Sequence, residues 1–124
     1  MMFEVDEYIK AIAEDLIETE PQFQKLAGCN ICYMRSDKKK KKGLKTVFAD
    51  CEKVSEKYKA ITGYEFVITF YADAELASEE ARRRLMFHEL KHVGWDGEDR
   101  WIVPHDLEDF SEVIDRWGVD WISG

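Results

Sequence analysis

The stretch SEEARRRLMFHELKHVG, residues 78–94, predicts the helix on which the fold and the chemistry of this chain depend. Ser78 followed by two glutamates is a typical helix start, because the hydroxyl caps a free backbone N–H and acidic side chains favour the positive end of the helix dipole. Helix-favouring residues continue from there, and Gly94 is a favoured residue just past a helix end. We therefore predict a helix over 81–93.

Two histidines lie four residues apart in this helix, in the pattern H-E-x-x-H. Residues four apart lie one above the other on the same helix face, so His88 and His92 can bind one metal ion. Catalytic zinc usually has three protein ligands and keeps a fourth position for water. His105, which follows a predicted turn, is the expected third ligand, and Glu108 and Asp109 are weaker candidates.

Glu89, next to the first histidine, has the position of a general base. Bound zinc lowers the pKa of water to about 7, and a carboxylate beside it can accept the proton and later pass it to a leaving amine. The pattern therefore predicts metal-dependent hydrolysis of a peptide or similar amide, with Glu89 as the catalytic residue. Tyr64 or Tyr71 could stabilise the oxyanion, and nothing in the sequence selects between them.

The helical rotation of 100° per residue divides the predicted helix into three faces. The first is expected to line a cleft: Leu85, His88, Glu89 and His92. The second is expected to enter the core: Met86, Leu90 and Val93. The third is expected to face solvent: Arg84, Phe87 and Lys91.

The hydrophobic pattern of the rest of the chain predicts an α+β fold. Helical spacing predicts helices over 4–18, 50–61 and 107–117, with a short helix or turn ending at Gly28. Strand-favouring residues predict strands over 29–35, 44–49 and 64–71, with a solvated lysine-rich loop between the first two. We expect a single domain over residues 1–124, with a small, mostly antiparallel sheet packed on helices.

Three segments, MFHELKHVG (86–94), YEFVITFY (64–71) and PHDLEDF (104–110), resemble the phage metallopeptidase family and the minimal SprT-like zincins. The resemblance covers residues 29–117. It implies a zincin-like domain in which the three histidines bind Zn²⁺ and Glu89 is the catalytic acid and base. In zincins an edge strand above the active-site helix holds an extended peptide. The strand over 64–71 would suit that place, although its nearly continuous apolar character fits a buried central strand equally well.

The composition of the chain bears on where in the cell the protein is located. No apolar run is long enough to span a bilayer, and the acidic start MMFEVDEYIK argues against a signal peptide, so we expect a cytoplasmic protein. Three cysteines, an odd number, fit a reducing compartment. The C-x-x-C of Cys29 and Cys32 is expected to be structural, because residues three apart on a strand point to opposite faces.

The charge distribution bears on partners. A net charge of −8 disfavours general affinity for nucleic acid or anionic membrane, and the run Lys38 to Lys42 is a local exception that could contact phosphates. Such runs are usually only solvated. The expected partner is a peptide or protein substrate. The alternative function is a zinc-stabilised, non-catalytic binding module of phage origin that acts on a host protein.

Overall fold

The computed structural model describes residues 2–104, so the predicted last helix and His105, Glu108 and Asp109 lie outside the described residues. The elements in chain order are β1 (Phe3–Val5), α1 (Glu7–Thr19), a first 3₁₀ helix (Pro21–Leu26), β2 (Ile31–Ser36), β3 (Lys40–Lys42), β4 (Lys45–Val47), β5 (Ala49–Lys53), α2 (Glu56–Thr62), β6 (Phe66–Phe70), a second 3₁₀ helix (Ala72–Leu76), α3 (Glu79–Lys91), β7 (Val93–Trp95) and β8 (Arg100–Ile102). In this range no helix has the length and apolar character needed to cross a membrane.

Four strands form the main sheet, in the order β1-β2-β6-β5. The pairs β1–β2 and β5–β6 are antiparallel, whereas β2 and β6 are parallel. Two further antiparallel pairs are the hairpins β3–β4 and β7–β8. The prediction of a mixed α and β fold with a small, mostly antiparallel sheet is confirmed.

Strand β6 lies in the centre of this sheet, because it pairs with β2 on one side and with β5 on the other. Its side chains Phe66, Ile68 and Phe70 are buried in the core. Of the two interpretations of residues 64–71, the central strand is therefore right and the edge strand is wrong. The edges of the sheet are β1 and β5.

Helix α1 covers the sheet with a buried stripe of Ile9, Ala13 and Leu16. Its predicted start at residue 4 was wrong because Asp6 is the N-cap and accepts a hydrogen bond from the backbone N–H of Ile9 at 2.9 Å. The residues before the cap pair with β2 as strand β1 instead. The short helix predicted before Gly28 is present as the first 3₁₀ helix.

The helix predicted over 50–61 is the main error in the secondary structure. Its first part is β5, which pairs with β6, and the helix α2 is limited to Glu56–Thr62. Ser55 caps α2 and Gly63 ends it in the left-handed conformation, at φ 81°. Pairing with a central strand overrode the weak helical spacing of Cys51 and Val54, which is a common effect of tertiary context.

Candidate metal and catalytic site

Helix α3 carries the first two predicted ligands and the predicted base. Ser78 caps it by accepting a hydrogen bond from the backbone N–H of Ala81 at 3.1 Å, as the start signal predicted. His88 and Glu89 lie in its last turn, and His92 is the C-cap residue. The helix is thus shorter than predicted at its end, because Val93 already pairs with Ile102 in the β7–β8 hairpin.

The two imidazole rings lie side by side at this helix end. The ring centroids of His88 and His92 are 5.1 Å apart with an interplanar angle of 77°, and both side chains are half-buried. Two imidazole nitrogens bound to one tetrahedral zinc ion, each at 2.0–2.1 Å, place their ring centres roughly 5 Å apart. The separation in this chain therefore fits a shared metal ion.

The orientation of His92 is set by Val103, which follows strand β8. The Nδ1 atom of His92 lies 2.7 Å from the backbone oxygen of Val103, and the backbone N–H of Val103 donates to the oxygen of His92 at 2.8 Å. A carbonyl oxygen only accepts hydrogen bonds, so Nδ1 carries a proton, and in the neutral ring Nε2 keeps its lone pair. This tautomer is the one that a zinc-binding histidine needs, with its second nitrogen held by a protein group.

The predicted site is only partly within the described residues. In residues 2–104, no group of three or more His, Cys, Asp or Glu side chains is arranged to hold a metal ion. His88 and His92 are brought together, and His105, the expected third ligand, lies outside this range. The proposed roles of all three histidines therefore stay predictions.

Glu89 is buried, with 4% of its surface exposed, on helix α3, which is in contact with strand β5. The charge of Glu89 reaches Cys51 in strand β5: burial raises the pKa of the Cys51 thiol, and the negative charge of Glu89 adds to the effect. A carboxylate is rarely buried in a protein without a functional or structural reason. The middle of β5 is therefore within reach of the charge of the predicted base.

One face of the helix differs from the prediction. Phe87, expected to face solvent, is buried at 1% exposure and packs edge to face on Phe23 with ring centroids 5.0 Å apart. The first 3₁₀ helix covers this side of α3, which the sequence spacing alone could not indicate. Met86, Leu90 and Val93 are buried as predicted.

Arg100 is a site-supporting residue that the sequence interpretation missed. Its side chain is 2% exposed and donates to the backbone oxygens of Val54 at 2.7 Å and Glu65 at 2.9 Å, and to the carboxylate of Glu56 at 2.6 Å. These contacts fasten β8 to both ends of α2. Nothing in the sequence around Arg100 indicated that its side chain would connect β8 to the segments on either side of α2.

Gly94 and Trp101 fix the hairpin that approaches His92. The two residues face each other across β7 and β8, and a Cβ atom at position 94 would lie 2.2 Å from the indole Nε1 of Trp101. Only glycine leaves room for the indole ring there. From the sequence, Gly94 was expected to end the helix. In the structure, glycine is required at this position because the hairpin places Trp101 opposite it.

The two tyrosines considered for oxyanion stabilisation have other contacts. Tyr71 is buried, and its hydroxyl donates to the carboxylate of Asp50 at 2.8 Å. Burial, followed by the bond to Asp50, raises its pKa to about 12. Tyr64 is partly exposed and lies near Cys32. Neither contact involves α3.

The cysteines are free thiols at buried or half-buried positions. Burial, together with a hydrogen bond to Glu65, raises the pKa of Cys29 to about 12, so the thiol stays protonated at neutral pH. A high thiol pKa disfavours both metal binding and nucleophilic chemistry. The structural role of the cysteines stays a prediction, and Cys29 precedes strand β2, which begins at Ile31.

Comparison with known proteins gives one match. A family model described as "Putative phage metallopeptidase" matches residues 1–123. No curated protein and no solved structure matches the chain. The matched range contains all three histidines and Glu89.

Proposed function

The chain belongs to the phage metallopeptidase family, as its motifs predicted, and we propose that it is a zinc-dependent peptidase. His88, His92 and His105 would hold the ion, and Glu89 would act as the general base. The proposed substrate is a peptide or protein, and the proposed reaction is hydrolysis of a peptide bond.

The contact between His92 and Val103 carries this proposal. It leaves Nε2 of His92 able to bind a metal ion, and it brings the chain beside His92 only two residues before His105. The neighbouring ring of His88, at 5.1 Å, adds the second donor. Backbone pairing of β7 with β8 supports this arrangement, so part of the cost of ordering the ligands would be met by folding.

Glu89 would move the proton. Its carboxylate would accept a proton from the attacking water and then deliver it to the nitrogen of the leaving amine. Zinc, when bound, supplies Lewis acidity that acidifies the water and polarises the peptide carbonyl. Burial of Glu89 at 4% exposure strengthens these charge interactions, because little water screens them.

Strand β5 is the proposed place for the peptide substrate. It is an edge of the main sheet, it is in contact with helix α3, and the charge of Glu89 acts on its middle residue Cys51. An extended peptide that adds to this edge would pass the catalytic group, with its main chain held by hydrogen bonds. This assigns to β5 the role that the sequence interpretation considered for residues 64–71.

The first experiment measures zinc and cleavage together in three full-length proteins: wild type, Glu89→Gln and His105→Ala. Elemental mass spectrometry of protein purified without chelator is expected to give about one zinc per chain in the wild type and in Glu89→Gln. Zinc should be lost or sharply reduced in His105→Ala. Cleavage of a mixed peptide library by the wild type should fall at least ~100-fold in Glu89→Gln.

Glu98→Gln is the matched control, because Glu98 is an exposed glutamate in the β7–β8 turn. It should keep both zinc and cleavage. Zinc in the wild type without cleavage by the wild type would favour the non-catalytic binding module. Absence of zinc from the wild type, even after reconstitution, would contradict both functions.

A further inference from the structure

The β3–β4 hairpin concentrates positive charge on an acidic protein. Residues 38–45, named here the lysine hairpin, contain six lysines and no arginine, in a chain of 26 acidic and 18 basic residues. The lysine-rich loop predicted from the sequence is thus partly a pair of strands, Lys40–Lys42 and Lys45–Val47. The proposed peptidase site uses none of these residues.

Two of the six lysines are neutralised by the protein itself. Lys39 lies 3.6 Å from a carboxylate oxygen of Asp73, and Lys40 pairs with Asp50 and lies over the ring of Tyr71. The other four are exposed, and no carboxylate in residues 2–104 lies within ion-pair distance of them: Lys38, Lys41, Lys42 and Lys45. The lysine hairpin therefore presents about four uncompensated positive charges.

The register of the hairpin places two of these charges opposite each other. Lys42 pairs directly with Lys45 across a two-residue turn, in which Gly43 has φ 65°. Like charges in directly opposite positions destabilise a strand pair. A negatively charged partner between the two ammonium groups would remove this repulsion, and the fully exposed Leu44 at the tip leaves the turn accessible.

The type of the basic residues and the shape of the hairpin bear on the anionic partner. The planar fork of arginine gives bidentate contacts of fixed geometry to carboxylate and phosphate alike, whereas lysine is a point charge that binds phosphates without fixed geometry. All the basic residues of the lysine hairpin are lysines, and they lie on both faces of a narrow two-stranded ribbon. A ribbon of this kind fits the major groove of duplex DNA. We propose that the lysine hairpin binds the phosphate backbone of nucleic acid, without sequence specificity, and independently of the proposed peptidase activity.

The test is fluorescence anisotropy of a labelled DNA duplex of random sequence, titrated with the full chain at several salt concentrations. Contacts to about four phosphates predict a slope of log affinity against log salt near −3.6, or roughly a 100-fold loss between 50 and 200 mM salt. Replacing Lys41, Lys42 and Lys45 by Gln should weaken binding at low salt at least ~10-fold, because most of the uncompensated charge is then absent.

The matched control replaces three exposed lysines outside the hairpin by Gln: Lys25, Lys53 and Lys57. It changes the net charge by the same amount and should alter the affinity less than ~2-fold. Equal weakening in both triple variants would show a general charge effect and overturn the proposal. Absence of binding at 50 mM salt, or equally tight binding of a polyglutamate peptide through the same lysines, would also overturn it.

Discussion

At the scale of single residues, Tyr71 shows how a contact partner changes the role that a sequence suggests. The sequence left Tyr71 as one of two candidates for oxyanion stabilisation. In the structure its hydroxyl donates to Asp50, which also pairs with Lys40. The bond therefore links β6 to β5 and to the lysine hairpin, and its function is structural.

This contact predicts a loss of stability at high pH. Burial raises the pKa of Tyr71 from 10 to about 12, so the folded chain keeps the phenol proton in a pH range where the unfolded chain releases it. Its contribution is full below pH 10 and is lost as the pH rises towards 12, by at most about 2–3 kcal/mol. Urea unfolding of wild type and Tyr71→Phe between pH 8 and 11.5 measures it. The variant should lose less stability over this range, and identical pH profiles would contradict the assignment.

The motif residues could be predicted from the sequence, whereas their supports could not. H-E-x-x-H has a fixed spacing on one helix, so His88 and His92 were expected side by side. The oxygen of Val103 that orients His92 comes from backbone pairing eleven residues away, and no side-chain pattern encodes it. The burial of Phe87 likewise depends on Phe23, which a helical period cannot reveal.

At the scale of elements, the β7–β8 hairpin connects helix α3 to the chain that continues to His105. Arg100 fastens it through two backbone oxygens and Glu56. Replacement of Arg100 by Met removes the charged donor and leaves the backbone oxygens of Val54 and Glu65 without that hydrogen-bond donor. Hydrogen bonds to charged groups contribute about 1.5–3 kcal/mol each, so we expect a loss of several kcal/mol in the free energy of unfolding.

The control for this prediction is Glu56→Gln. The Glu56 side chain is 83% exposed, and an ion pair of an exposed carboxylate contributes little because solvent screens it, so the variant should be nearly as stable as the wild type. Both variants are compared by urea unfolding. A small effect of Arg100→Met, similar to that of Glu56→Gln, would show that the backbone contacts are not what holds the hairpin.

Elements also show where the sequence pattern was ambiguous. The strand β6 and the helix α3 have long, consistent patterns, and both were predicted at nearly the right place. Strand β5 has mixed residues, ADCEK, that favour neither state, and only its pairing with β6 makes it a strand. The sequence therefore left open whether residues 64–71 form an edge or a central strand, because the order of strands depends on contacts that are distant in sequence.

At the scale of the whole molecule, the proposed ligands come from two parts of the sequence, the end of α3 and the chain that follows strand β8. His88 and His92 lie at the end of α3, and His105 follows the hairpin. A ligand that binds only the folded state stabilises it by about 2.7 kcal/mol at a concentration 100 times its Kd. For a domain of this size, that corresponds to an increase in Tm of about 10 °C.

We therefore expect zinc to raise the Tm of the wild type relative to protein treated with a chelator, as measured by differential scanning fluorimetry. Glu89→Gln should show the same increase, because Glu89 is proposed to act on water and not on the metal. His105→Ala should lose most of the increase while its Tm in chelator stays close to that of the wild type, which separates a lost ligand from a damaged fold. If His105→Ala and the wild type respond equally to zinc, the third ligand is another residue, and Glu108 and Asp109 are the next to be replaced.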